Sequence, residues 1–174
     1  MKLLVFITPN EFRDESIAKF KLFLDRWGIE NKVTSYSKKE CVGNHGAVYT
    51  PDINTGRVTA DDYDGIVLVD GRGVETYKIY DYRPLLELLF AFNNKKKPII
   101  AVGNAVKIPA RANIIKDKKV AVGNGDEETK RLVLLFHGIP SEEGVEIADN
   151  LMTVGSYIQI DSAMPQILQH MGVM

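Results

Sequence analysis

The chain has 174 residues, 22 Lys+Arg against 23 Asp+Glu, and a formal net charge of -1. Its 45% hydrophobic and 26% charged residues are the make-up of an ordinary globular protein, and its length fits one domain over residues 1–174. The even charge balance excludes a broad phosphate-binding face, so no nucleic-acid partner is expected.

In chain order, residues 2–8 form a short apolar run that ends at Pro9-Asn10, the pattern of a buried strand entering a loop. This opening run is too short for a secretory core of roughly 7–15 residues. No stretch approaches the roughly 18 apolar residues of a membrane span. A cytoplasmic location with no membrane contact is therefore expected. Ile17, Phe20, Phe23, Leu24 and Trp27 fall at helical spacing, with Gly28 where a helix ends. Residues 30–36 read as a strand, so the chain opens strand–helix–strand, the unit of a parallel sheet.

Residues 37–59 are polar and punctuated by glycines, and the alternation in residues 47–50 predicts a small edge hairpin. Residues 64–70 are a buried strand closed by Gly71-Arg72-Gly73. Residues 83–94 carry leucines and phenylalanines at helical spacing, with Pro84 in the first turn. Residues 98–102 form a further buried strand, 105–115 a helix with Pro109 as an awkward member, and 119–122 a short strand. A helix over 126–136 begins with three acidic residues. Strands at 144–147 and 151–154 and a closing helix over 157–171 complete the pattern. The alternation predicts a flavodoxin-like, doubly wound α/β sandwich with a mostly parallel sheet and helices on both faces.

In such a sheet ligands bind beyond the carboxyl ends of the strands, which singles out residues 8–16, 70–76, 103–106 and 123–126. Gly71-Arg72-Gly73 and Gly123-Asn124-Gly125 begin like dinucleotide fingerprints, but neither has the third glycine in place and no Walker lysine follows. Asp126, Glu127 and Glu128 would repel a phosphate at the second turn. No dinucleotide or other cofactor is expected. His45, His137 and His170 lack ligand spacing and Cys41 is the single cysteine, so no metal site and no disulfide are expected. At Gly103-Asn104-Ala105 a strand turns sharply into small residues, the geometry of a nucleophile elbow, yet the turn holds no nucleophile.

These pieces resemble the ThiJ/PfpI superfamily, a branch of the class I glutamine amidotransferase-like fold. Residues 10–15 resemble its N-E-F-E-D-x-E pattern, and Gly43-Asn44-His45-Gly46 its G-x-H-G hairpin. Residues 62–72 resemble D-x-L-V-L-P-G-G-R, and residues 98–105 resemble P-V-A-x-I-C-H-G. The resemblance implies that the nucleophilic cysteine falls on Gly103 and the following histidine on Asn104. The first glycine of the glycine pair falls on Asp70, leaving Gly71. The first motif glutamate falls on Arg13, and the last on Ser16 without a gap or on Glu15 with a one-residue shift. Peptidase, deglycase, glyoxalase, hydratase and redox-sensing roles in the family all require that cysteine. Cys41, in the predicted hairpin region, does not replace it by position.

Two readings follow. In the favoured one, the chain is a pseudoenzyme that keeps the pocket around Gly71, Gly103, Asn104 and Ala105 and binds a small molecule or a protein. In the other it is a cysteine-independent hydrolase or lyase. Glu15 or Asp70 then serves as general acid/base, and Asn104 with backbone N–H groups steadies an oxyanion. Asp70 is equally readable as a turn or cap residue. Arg72, Tyr77, Tyr80, Tyr82 and Arg83 lie together in sequence beside the pocket, a mixture common at interfaces. With the family's habit of forming dimers or rings, this leads to the expectation of a homo-oligomer.

Overall fold

The computed structural model describes residues 1–174. The chain opens with strand β1 (Lys2–Phe6), a short strand β2 (Asn10–Phe12) and helix α1 (Asp14–Arg26). Strand β3 (Glu30–Ser35) precedes three small strands, β4 (Cys41–Gly43), β5 (Val48–Tyr49) and β6 (Ile53–Asn54). Next come β7 (Gly65–Leu68), the one-turn helix α2 (Gly73–Thr76), α3 (Arg83–Asn94), β8 (Ile99–Val102) and α4 (Lys107–Arg111). The last third holds β9 (Lys119–Ala121), α5 (Glu127–Leu135), β10 (Ile139–Ser141), β11 (Val145–Ala148), β12 (Leu151–Val154) and α6 (Ile160–His170).

Seven strands form the central sheet in the order β11-β12-β8-β7-β1-β3-β6. All neighbours are parallel except the β11–β12 hairpin. β1 lies between β7 and β3, so the chain winds one way to β3 and then the other way through β7 and β8. That reversal opens a crevice at the carboxyl ends of the strands. The central strands are apolar on both faces because both are covered. Leu4, Phe6, Ile66, Leu68, Ile99 and Ala101 pack against Leu85, Leu89 and Phe92 of α3. The alternate residues Leu3, Val5, Val67, Ile100 and Val102 pack against Ile17, Phe20 and Leu24 of α1 and against α6. The sandwich is the flavodoxin-like arrangement expected from the alternation of elements. No helix is long and apolar enough to cross a membrane.

Three local features differ from the sequence expectation. The hairpin near residues 47–50 does not edge the central sheet; β4 and β5 form a separate three-stranded sheet with β2. The Asp14 carboxylate fixes it there by accepting from the N–H groups of His45 (3.1 Å) and Ala47 (2.9 Å). Strand β9 also lies outside the central sheet and pairs with β10. The Thr153 hydroxyl on β12 accepts from the Ala121 N–H at 2.8 Å and bridges the two sheets. The helix expected over 105–115 is a 3₁₀ turn at Gly103–Val106 followed by the five residues of α4. Pro109 fits because a first helical turn does not need its N–H. The Tyr36 ring lies 4.1 Å from Tyr82 and 6.0 Å from Tyr77.

Candidate functional site

Strand β8 ends in Gly103, whose φ is +54°. A residue with a Cβ in this left-handed region is strained by roughly 1–2 kcal/mol. The strand enters its 3₁₀ turn through this bend, so the elbow geometry is present. Gly71 after β7 has φ +139°, and a Cβ there would stand 2.8 Å from the Arg13 nitrogen. The close approach of the 70–72 turn to the 11–13 segment therefore requires glycine.

Asp70 sits between these two bends and is 5% exposed. Its Oδ1 accepts from the Ser16 hydroxyl at 2.6 Å and its Oδ2 from Arg13 Nε at 3.1 Å. A Cβ placed on Gly103 would lie 2.6 Å from that same Oδ2. The Asp70 carboxylate thus fills the space that a side chain at position 103 would need. Burial pushes the Asp70 carboxyl above the usual carboxylate range, against the opposing pull of Ser16 and Arg13.

The Asn104 amide is turned onto the neighbouring loop. Its Oδ1 accepts from the Gly71 N–H (3.1 Å) and its Nδ2 donates to the Gly71 carbonyl (2.8 Å). Asn104 therefore clamps one turn to the other. Ala105 is fully buried beneath the elbow. Above it lies a cavity of about 310 Å³, walled by Asp70, Gly71, Gly103 and Asn104 on one side and by Gly123, Asp126, Gly155, Ser156 and Tyr157 on the other. Arg13 and Arg72 complete the wall, and the Arg13 guanidinium stacks 4.4 Å from the Tyr157 ring centre.

Of the acid/base candidates, Asp70 lines this cavity and Glu15 does not. Glu15 Oε1 lies 2.8 Å from His45 Nδ1 on the small sheet, and its other oxygen is buried without a partner. Ser16, one position on, is the α1 residue that bonds Asp70. Cys41 is 2% exposed on β4, and burial pushes its thiol up. No group of three or more His, Cys, Asp or Glu side chains is arranged to hold a metal. Ser156 and Tyr157 escaped the sequence analysis. The signal was present, because residues 151–154 were a predicted strand and the rule that ligands bind beyond strand ends applies to the residues after it.

A flavodoxin-like sandwich with a left-handed elbow after β8 defines the class. The model of the DJ-1/PfpI family matches residues 1–162, and the chain belongs to that family. An uncharacterized protein of Methanocaldococcus jannaschii is 34% identical over 155 residues, covering 89% of this chain and 75% of the relative. A protein of Pyrococcus furiosus named deglycase PfpI is 27% identical over 119 residues, 68% of this chain and 70% of the relative. Among solved structures, a ThiJ/PfpI domain protein from Brachyspira murdochii superposes with a TM-score of 0.90 at 22% identity. It covers 99% of this chain and 97% of its own. DJ-1beta of Drosophila melanogaster gives 0.84 at 18% identity, with 97% and 88% covered.

Proposed function

We propose that this chain is a DJ-1/PfpI relative without the family's thiol chemistry, and that it holds a small molecule in the cavity above Gly103. One observation carries the reading: Asp70 Oδ2 stands 2.6 Å from where a side chain on Gly103 would begin. The seat of the attacking group is both unfurnished and occupied. Cys41, buried on a different sheet with its thiol pushed up, does not supply a substitute. For these reasons the deglycase activity named for the Pyrococcus relative is not carried over. The proposal includes a cytoplasmic homo-oligomer. Exposed Leu134, Leu135 and Ile139, at the end of α5 and the start of β10, offer apolar surface for self-association.

The test is to incubate the purified full chain with methylglyoxal and with model peptides and to follow products by NMR. No turnover is expected. Turnover that disappears in Cys41→Ala would overturn the reading by revealing a working thiol. A second reading, cysteine-independent acid/base catalysis, is favoured by one feature. Asp70 is a cavity-wall carboxyl raised by burial, a property suited to proton transfer. Turnover that survives Cys41→Ala and is lost in Asp70→Asn would establish it in place of the first.

A further inference from the structure

The carboxylate and amide acceptors around the cavity are already engaged inside the protein. Both Asp70 oxygens are held, by Ser16 and by Arg13 Nε. Asn104 Oδ1 is taken by the Gly71 N–H. Asp126 caps α5, with one oxygen on the Thr129 N–H (3.1 Å) and the other on its hydroxyl (2.6 Å).

The donors are in the opposite state. Arg72 is exposed and pairs with no acidic side chain, while Arg13 uses only Nε and leaves its two terminal nitrogens unengaged. The Arg13 guanidinium also lies over the Tyr157 ring. A neutral or cationic ligand would find only the Ser156 and Tyr157 hydroxyls free among the side-chain acceptors, whereas an anion would meet two guanidinium groups. A carboxylate, planar and acceptor-only, matches the fork that arginine presents. A phosphate dianion would carry a second charge toward Asp126 in the wall and Asp70 at the floor, so the single charge of a carboxylate is the better fit.

We propose that the cavity over Gly103 binds a small carboxylate, with Arg72 as the main anchor and the terminal nitrogens of Arg13 as the second contact. This rests on the reading of that cavity as a binding site and supplies its ligand class. The Arg13–Asp70 pair then has a second task. It neutralises the buried carboxylate that would otherwise repel the ligand, and it holds Arg13 in place over Tyr157.

The test titrates the isotope-labelled full chain with propionate, propionamide and inorganic phosphate, reading the amide signals of Gly71, Gly103 and Gly155. Propionate is expected to give saturable shifts, with propionamide weaker by about tenfold or more and phosphate weaker than propionate. Arg72→Gln is expected to weaken propionate by about tenfold while leaving the other signals in place, because Arg72 makes no side-chain bond within the chain. Arg72→Lys should recover only part of the affinity, since it restores the charge without the fork. Equal binding of propionamide, full affinity in Arg72→Gln, tighter binding of phosphate, or no saturable shift with propionate would each overturn the proposal. Methylglyoxal turnover in the same sample would instead overturn the non-catalytic reading and leave the carboxylate site standing.

Discussion

At position 103 two constraints act on the same Cα. The backbone is left-handed, with φ +54°, and Asp70 Oδ2 would crowd a Cβ at 2.6 Å. Gly103→Cys is therefore expected to cost about 2–4 kcal/mol, adding backbone strain to overpacking. Urea denaturation measures it. Asp70→Gly combined with Gly103→Cys should recover part of that loss, because the second change vacates the space the thiol requires. Equal stability of the single variant and the parent would show that the two positions are not coupled. The sequence carries both halves of this exchange, an Asp where the resemblance places Gly and a Gly where it places Cys. It does not show that they meet, because they lie 33 residues apart in the turns that follow two neighbouring strands. The choice between Glu15 and Ser16 had the same character. Only the turn of α1 decides which side chain faces Asp70 and which faces His45.

Helices α2, α4 and α5 each follow a turn that lines the cavity, and one lysine ties them together. Lys107 on α4 has a side chain 5% exposed, with Nζ 2.9 Å from Glu75 on α2 and 3.3 Å from Glu128 on α5. Its ammonium holds the Glu75 carboxyl below the usual range. The Tyr80 hydroxyl donates to the other Glu75 oxygen at 2.7 Å, and that bond pushes its pKa up to about 12. Glu75→Gln is expected to bring Tyr80 back down toward its ordinary 10.0, read from tyrosinate absorbance during an alkaline titration. The same variant should cost about 1–3 kcal/mol by leaving a buried ammonium with one carboxylate fewer. An unchanged tyrosine titration would show that Glu75 does not govern Tyr80. Elements of this length differ in how far sequence reveals them. β1, β7 and β8 were legible because burial on both faces gives uninterrupted apolar runs, and α3 because its leucines keep helical spacing over twelve residues. β2, β6 and α2 were not, since two to four residues show no period. Their pairing partners, not their composition, make them regular.

Across the whole molecule, two core layers share one set of strands. Phe92 on α3 is buried against one face and Phe20 on α1 against the other. Removing either ring is expected to cost about 3–5 kcal/mol. Phe92→Ala and Phe20→Ala should each lower the unfolding midpoint by far-UV circular dichroism and by Trp27 fluorescence together, because neither layer keeps its strands without the other. Separate midpoints for the two probes would show that the layers melt independently. The order of strands and the position of the crevice follow from the alternation of helices and strands. The separate sheet of β2, β4 and β5 follows from the Asp14 contacts to the hairpin backbone, which no local pattern announces.

The lone thiol's position sets how this molecule meets its surroundings. With Cys41 buried on the small sheet and no thiol at the elbow, thiol-directed alkylating reagents find no ready target in the folded protein. Electrophilic probes aimed at a thiol on this elbow should pass the chain by.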